Sequence, residues 1–194
     1  QRWFERQRKQ KVSVDVLVPC YKEELEIIEE TISSCMRMHK PNNVTAINVY
    51  LCDDGASDER AALCAELGAN YLRRPNKGEH GKAGNVNYGI ANSSGDLIII
   101  LDADMAPEPF CVSVLVKKLL AAGPSVAMVQ APHRFRDLVK GDIYASRNLF
   151  FQMKVLPFYG RCGSCPFIGS NAIFRRSVLE EVGGIAYGSV TEDV

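Results

Sequence analysis

Two carboxylates one residue apart, Asp102 and Asp104, follow directly on the aliphatic run Leu97-Ile98-Ile99-Ile100-Leu101. Carboxylates held that close repel unless a cation or a proton sits between them. In an extended segment, side chains at i and i+2 point the same way, so the pair is expected to face one cleft. A strand-ending Asx turn that caps the next helix uses the same residues equally well. Polar groups stand at two comparable places, Pro19-Cys20-Tyr21-Lys22-Glu23 and Asp53-Asp54-Gly55, each just past an apolar run. A glycine-punctuated stretch, Asn76 to Asn85, carries Lys82, whose ammonium could meet phosphate at the start of a helix. Ala83 stands where a nucleotide-hydrolase phosphate loop needs Ser or Thr. The glycine spacing and the place in the chain exclude the dinucleotide fingerprint. Tyr21 could stack on a flat ring, or be an ordinary buried or surface tyrosine.

Elements that alternate in type must position these groups. Val14–Val18 reads as a strand closed by Pro19. Leu25, Ile28, Ile32 and Cys35 then fall on one helical face, with Glu23, Glu24 and Glu26 near its start, where the helix dipole favours anions. A turn at Pro41-Asn42-Asn43 leads to a strand at Ile47–Cys52. Ser57 or Asp58 can cap a helix that runs to Leu67 and stops at Gly68. A short strand, Ala69–Leu72, precedes the glycine-rich loop and a helix with Ala83, Val86 and Ile90 on one side. The run at 97–101 is the next strand, followed by a helix from about Phe110 to Ala121 and a strand at Val126–Gln130. Beyond Pro132 the pattern loosens: Arg147–Met153 reads as helical, Gly160–Pro166 as loop, and Arg176–Val182 as a short helix ended by Gly183-Gly184. Strand–helix alternation of this kind predicts an α/β fold with a mostly parallel central sheet flanked by helices. Parallel strands bring their carboxyl ends to one edge, so the three polar motifs are expected to line one crevice. Oxygen ligands there suit a hard divalent cation, Mg2+ or Mn2+, which completes its shell with water and substrate phosphates.

Composition narrows the classes. The 194 residues, 46% hydrophobic, suffice for one sizeable core. With 23 basic and 23 acidic residues, net charge gives no support to nucleic-acid binding. No apolar run is long enough to span a bilayer, and no signal-peptide pattern opens the chain. Seven cysteines, scattered through predicted strands and helices, read as buried free thiols in a reducing compartment. Cys162-Gly-Ser-Cys165 lacks a second ligand pair and reads as incidental. Both ends look cut. Residues 1–11 form a basic leader with Trp3 and Phe4, a solvated arm or a juxtamembrane segment, and 12–194 a single domain.

The ordered series Val-Asp-Val-Leu-Val-Pro-Cys-Tyr-Lys-Glu, Cys-Asp-Asp-Gly, His-Gly-Lys-Ala-Gly-Asn, Asp-Ala-Asp, Val-Gln-Ala-Pro-His, Phe-Ile-Gly-Ser-Asn and Thr-Glu-Asp resembles glycosyltransferase family 2. It is most similar to the processive branch of cellulose synthases and cellulose-synthase-like enzymes. Chitin and hyaluronan synthases and lipid-directed glycosyltransferases share most of these motifs, and a non-catalytic UDP-sugar-binding module is the rival of another class. The resemblance implies the GT-A fold, a UDP-sugar donor with UDP-glucose favoured, Mg2+ or Mn2+, and inverting transfer to a growing glycan. By resemblance, Tyr21 and Glu23 hold the uracil with Asp53 nearby, and Lys82 meets the diphosphate. Asp102 contacts the nucleotide and Asp104 the metal, while Asp193 is the general base. Phe167, Gly169, Ser170 and Glu192 border the acceptor. The family's Gln-x-x-Arg-Trp motif is expected beyond Val194, so the domain reads as truncated at its C-terminus. It implies a membrane-embedded parent with this domain at the cytoplasmic face.

Overall fold

A computed structural model describes residues 10–134 and 150–187. The strands are β1 (Val12–Cys20), β2 (Val44–Asp53), β3 (Asn70–Leu72), β4 (Leu97–Ile100), β5 (Met128–Gln130) and β6 (Ala172–Arg175). The helices are α1 (Leu25–Met36), α2 (Asp58–Leu67), α3 (Gly81–Ala91), α4 (Cys111–Ala122), α5 (Leu156–Arg161) and α6 (Arg176–Glu181). A π turn, Phe151–Val155, leads into α5.

The six strands form one sheet in the order β3-β2-β1-β4-β6-β5. From β1 the chain builds outward through β2 to β3, then returns to place β4 on the other side of β1, parallel to it. That reversal makes the gap between the carboxyl ends of β1 and β4 a topological switch point, where open α/β sheets take their ligands.

The sheet separates two apolar layers. Val14, Val16 and Val18 of β1 and Leu97 and Ile99 of β4 pack toward α1, α2 and α4, while Leu17, Ile98 and Ile100 pack toward α3 and α6. Period-two alternation along each strand produces this division. Ile98, Ile99 and Ile100 are all 0% exposed, so both faces of β4 are covered. Each such side chain contributes about 1.5–3 kcal/mol by leaving water. At the start of α2 the Ser57 hydroxyl accepts from the Arg60 amide, and Gly68 closes the helix with φ 76°. Of the two capping candidates, Ser57 is the cap.

The structure departs from the sequence reading in several places. Strand β6 was not expected, and it runs antiparallel to both β4 and β5. The 160–166 stretch, expected as loop, is helical up to Arg161. After β4 the chain turns at once, with the Met105 amide donating to the Asp102 carbonyl at 3.0 Å. Asp102 and Asp104 therefore do not share an extended segment. Residues 1–9 of the leader, Arg147 of the expected 147–153 helix, and Glu192 and Asp193 lie outside the described residues. Among the described residues, no helix is long and apolar enough to cross a membrane.

Candidate active site

A cavity of about 580 Å³ opens at the switch point, lined by groups from four segments. Pro19, Cys20, Tyr21 and Glu23 come from the end of β1, and Asp54 from the end of β2. Gly78, Gly81, Lys82 and Asn85 come from the glycine-rich loop and α3, and Asp102, Ala103 and Asp104 from the turn after β4. The expected convergence is observed: Tyr21, Glu23, Lys82, Asp102 and Asp104 all face it. Although the turn after β4 replaces the extended segment, it still directs both carboxylates to one space.

The lining groups are held differently. Lys82 Nζ lies 2.7 Å from Asp102 Oδ1, and both side chains are partly exposed. Asp104 is exposed. One Glu23 carboxylate oxygen accepts from the amides of Tyr21 (2.7 Å) and Lys22 (3.0 Å), which fixes the loop that presents the Tyr21 ring. That ring is 47% exposed. The ammonium groups of Lys22 and Lys77 lie 4.9 and 5.9 Å from its centroid. Asp54 is gripped by both forks of the Arg74 guanidinium.

Asp53, expected beside the nucleotide, does not line the cavity. It is 1% exposed and turned inside the β2–α2 connection. It accepts from the Gly55 amide (2.7 Å), the Ser57 amide (2.8 Å), the Tyr71 hydroxyl (2.7 Å) and Arg60 Nη1 (2.9 Å). Burial alone would push its carboxyl up, but the Ser57 amide, the Tyr71 hydroxyl, the Arg60 charge and the Gly55 amide outweigh it. The result lies below the ordinary carboxylate range. The tight turn around Asp53 leaves room only for glycine at Gly55: a Cβ there would stand 2.2 Å from the Tyr21 carbonyl and 2.4 Å from Arg60 Nη1. The Cys20 thiol, raised by burial and then by Asp53, stays protonated and donates to that carboxylate.

Of the expected acceptor residues, Phe167, Gly169 and Ser170 are described and pack into the protein. Ser170 is 0% exposed, and its hydroxyl accepts from the Asp102 amide at 2.8 Å. Gly169 is buried, with φ 84°. Phe167 packs edge-on against Phe174 with centroids 5.1 Å apart. None of the three lines the cavity.

Three side chains that sequence reasoning passed over build this rim. Arg60, 9% exposed, donates to the carbonyls of Tyr21 (2.9 Å) and Glu23 (2.6 Å) as well as to Asp53. Arg74, 7% exposed, joins Asp54 to the carbonyls of Glu79 and Gly81. Gln130 at the end of β5 donates to the Ser170 carbonyl (2.7 Å) and accepts from the Ile168 amide (3.3 Å), clamping the 167–171 loop. Its motif, Val129 to His133, was the only signal available; nothing in a lone sequence marks Arg60 or Arg74 as buried.

The profile described as Glycosyl transferase family 2 matches residues 15–183, which span every segment of this rim. The chain belongs to glycosyl transferase family 2. Within that family it is 38% identical over 192 residues to cellulose synthase 1 of Komagataeibacter xylinus, covering 93% of this chain and 12% of that protein. It is also 38% identical to the UDP-forming cellulose synthase catalytic subunit of Xanthomonas axonopodis pv. citri, covering 93% of this chain and 25% of that one. The chain thus spans a quarter or less of these two relatives. Among solved structures, a Pyrobaculum calidifontis mannosyltransferase in complex with GDP-mannose and Mn2+ superimposes with TM-score 0.67. The match is 21% identical over 98% of this chain and 55% of that one. Glucosyl-3-phosphoglycerate synthase of Mycobacterium tuberculosis, in complex with Mn2+, UDP and glucosyl-3-phosphoglycerate, does so with TM-score 0.56. It is 23% identical over 91% of this chain and 61% of that one. The fold is GT-A.

The donor set of this family 2 chain can be tested against a divalent cation. Among the described residues, no three His, Cys, Asp or Glu side chains gather closely enough to hold an ion. Asp102 and Asp104 offer oxygen ligands only, beside open space. That suits a hard cation bound by one or two carboxylates together with substrate phosphates, and does not suit a closed protein cage.

Proposed function

We propose that this chain is the donor-binding and catalytic domain of an inverting glycosyltransferase. It uses a UDP-sugar, UDP-glucose first, with Mg2+ or Mn2+, to extend a β-linked glucan such as cellulose. The observation that carries the reading is the cavity at the switch point in which the exposed Tyr21 ring, the Lys82 ammonium and the Asp102 and Asp104 carboxylates meet. Names of relatives that specify UDP formation, and a structural neighbour solved with Mn2+ and UDP, support it.

In this reading Tyr21 stacks on the uracil, with Glu23 fixing the backbone of its loop. Asp53 acts indirectly, by holding the β2–α2 turn that presents Asp54. Asp102 and Asp104 would hold the cation, which would supply stabilisation of the negative charge on the diphosphate leaving group. Lys82 leaves its pairing with Asp102 to meet that same charge, where a fixed ammonium in a partly dry site is worth more than in water. Asp193 serves as the base that takes the proton from the acceptor hydroxyl, a role that rests on the family motif. Phe167, Gly169 and Ser170 border the acceptor, together with Glu192, the base's neighbour in sequence. The parent protein places this domain at the cytoplasmic face of a membrane.

Calorimetry with UDP, UDP-glucose, UDP-N-acetylglucosamine and ATP, with and without Mn2+, tests the reading. Metal-dependent binding of UDP and UDP-glucose is expected; tighter binding of ATP than of UDP would overturn it. Asp193→Asn should abolish glucose transfer and leave UDP affinity intact.

A further inference from the structure

Beyond α6 the chain folds back across α3. Asn87 clamps this return with a pair of hydrogen bonds, Nδ2 donating to the Ile185 carbonyl and the Ile185 amide donating to Oδ1, both at 2.8 Å. Gly184 lies against the same amide; a Cβ there would stand 2.4 Å from Asn87 Oδ1. Two residues later the Tyr187 ring stacks on the His80 ring, with centroids 4.1 Å apart and planes 19° apart. His80 is no ordinary loop residue. It is the N-cap of α3 and holds a left-handed backbone (φ 57°, ψ 24°) without a side-chain capping bond. Such a conformation in a residue with a Cβ persists only where its surroundings hold it. The two residues that follow His80 are Gly81 and Lys82, both lining the cavity.

We propose that Tyr187 is a positioning residue for the diphosphate-facing loop. By stacking on His80 it holds the left-handed turn that opens α3, and so sets where Lys82 and the first amides of α3 stand. The inference rests on reading the cavity as a UDP-sugar site. Tyr187 does not line that cavity, so it acts through His80. The uracil side is built from Tyr21 and the end of β1, on segments other than the one that carries His80. Tyr187 should therefore affect recognition of phosphates and leave recognition of the base alone.

The test is calorimetry in Mn2+ with UDP and with uridine, on the unsubstituted chain and on Tyr187→Leu, Tyr187→Phe and Asn87→Ala. Melting curves would accompany each titration. An aromatic stack contributes enough that its loss should weaken UDP binding about two- to twelvefold. Tyr187→Leu should show this loss with uridine affinity unchanged, Tyr187→Phe should bind UDP like the unsubstituted chain, and Asn87→Ala should follow Tyr187→Leu. Unchanged UDP affinity in Tyr187→Leu overturns the inference alone. So does an equal loss for UDP and uridine, which would mark a general structural role. Failure of the unsubstituted chain to bind UDP overturns the donor reading itself.

Discussion

The two ends of the sheet both gather carboxylates, and they use them in opposite ways. At the amino end, Asp15 is 0% exposed and accepts from Asn48 Nδ2 (2.8 Å), the amides of Ser94 (2.9 Å) and Gly95, and Arg176 Nη2 (3.0 Å). Arg176 spends its remaining donors on the carbonyls of Ile90 and Gly95 and on the Ser93 hydroxyl. Nearby, Asp96 is bonded by both the amide and the hydroxyl of Ser13. At the carboxyl end, Asp104 is exposed and Asp102 shares Lys82 at the wall of a cavity. A carboxylate whose lone pairs are filled by the protein holds the fold together. One that faces open space at a switch point is available to a ligand. Asp53 shows that position alone does not decide: it sits at the carboxyl end yet is bonded like Asp15.

The largest expected effect lies at the amino end. Removing one partner of a buried ion pair leaves the other charge uncompensated, at a cost of about 3–5 kcal/mol. Asp15→Ala or Arg176→Met should therefore lower the melting temperature by roughly 6–20 °C, while the folded fraction keeps its UDP affinity. A matching loss of UDP affinity would erase the distinction between the two ends. Next, Asp104→Asn should cut glucose transfer by about 100- to 1000-fold, as removal of a group that stabilises transition-state charge does. Its melting temperature should stay within a degree or two of the unsubstituted chain. A large drop in melting temperature would place Asp104 with Asp15.

Much of this contrast was legible in the residues. Tyr21, Asp102 and Asp104 follow apolar runs at places where parallel strands must end, and Lys82 stands in a glycine-punctuated loop that feeds a helix; that reasoning brought them to one cavity. Ser57 and Gly68 were readable as caps because their chemistry is local. What escaped notice depends on partners far along the chain. Arg176 meets Asp15 across 161 residues, and no periodicity marks such a bond. Strand β6 has four residues and lies beyond Pro132, where the strand–helix alternation that revealed the other short strands lapses. Asp53 and Asp54 are adjacent, chemically alike and both buried, so only the turn geometry fixed by Arg60 and Arg74 decides which of them lines the cavity.

Smaller effects sharpen the comparison at Asp53. Tyr71→Phe removes the hydroxyl that donates to it, at a cost of about 1 kcal/mol, read by urea titration. The Asp53 carboxyl is held below its ordinary range, so its contribution is present above the unfolded value and is lost as pH falls through the folded one. Stability should therefore decline below about pH 4, and in Tyr71→Phe, whose folded value lies nearer the unfolded one, the acid loss should be smaller and should level off at a higher pH. An unshifted acid limb would mean that the hydroxyl does not set this carboxylate. The smallest effect is expected of Ser170→Ala, which frees the Asp102 amide. It should cost about 0.5 kcal/mol, the lower end for one hydrogen bond, and weaken metal-dependent UDP binding more than it lowers melting.

Mn2+ is paramagnetic, and its broadening of nuclear resonances maps which end of the sheet receives the ion. In the presence of UDP, broadening should be strongest for residues 102–105 and for the 78–85 loop. It should fall off toward Asp15, Asp96 and Arg176, about 17 Å away along β1 at 3.3 Å per residue. Broadening centred on the amino end, or none that depends on UDP, would contradict the account.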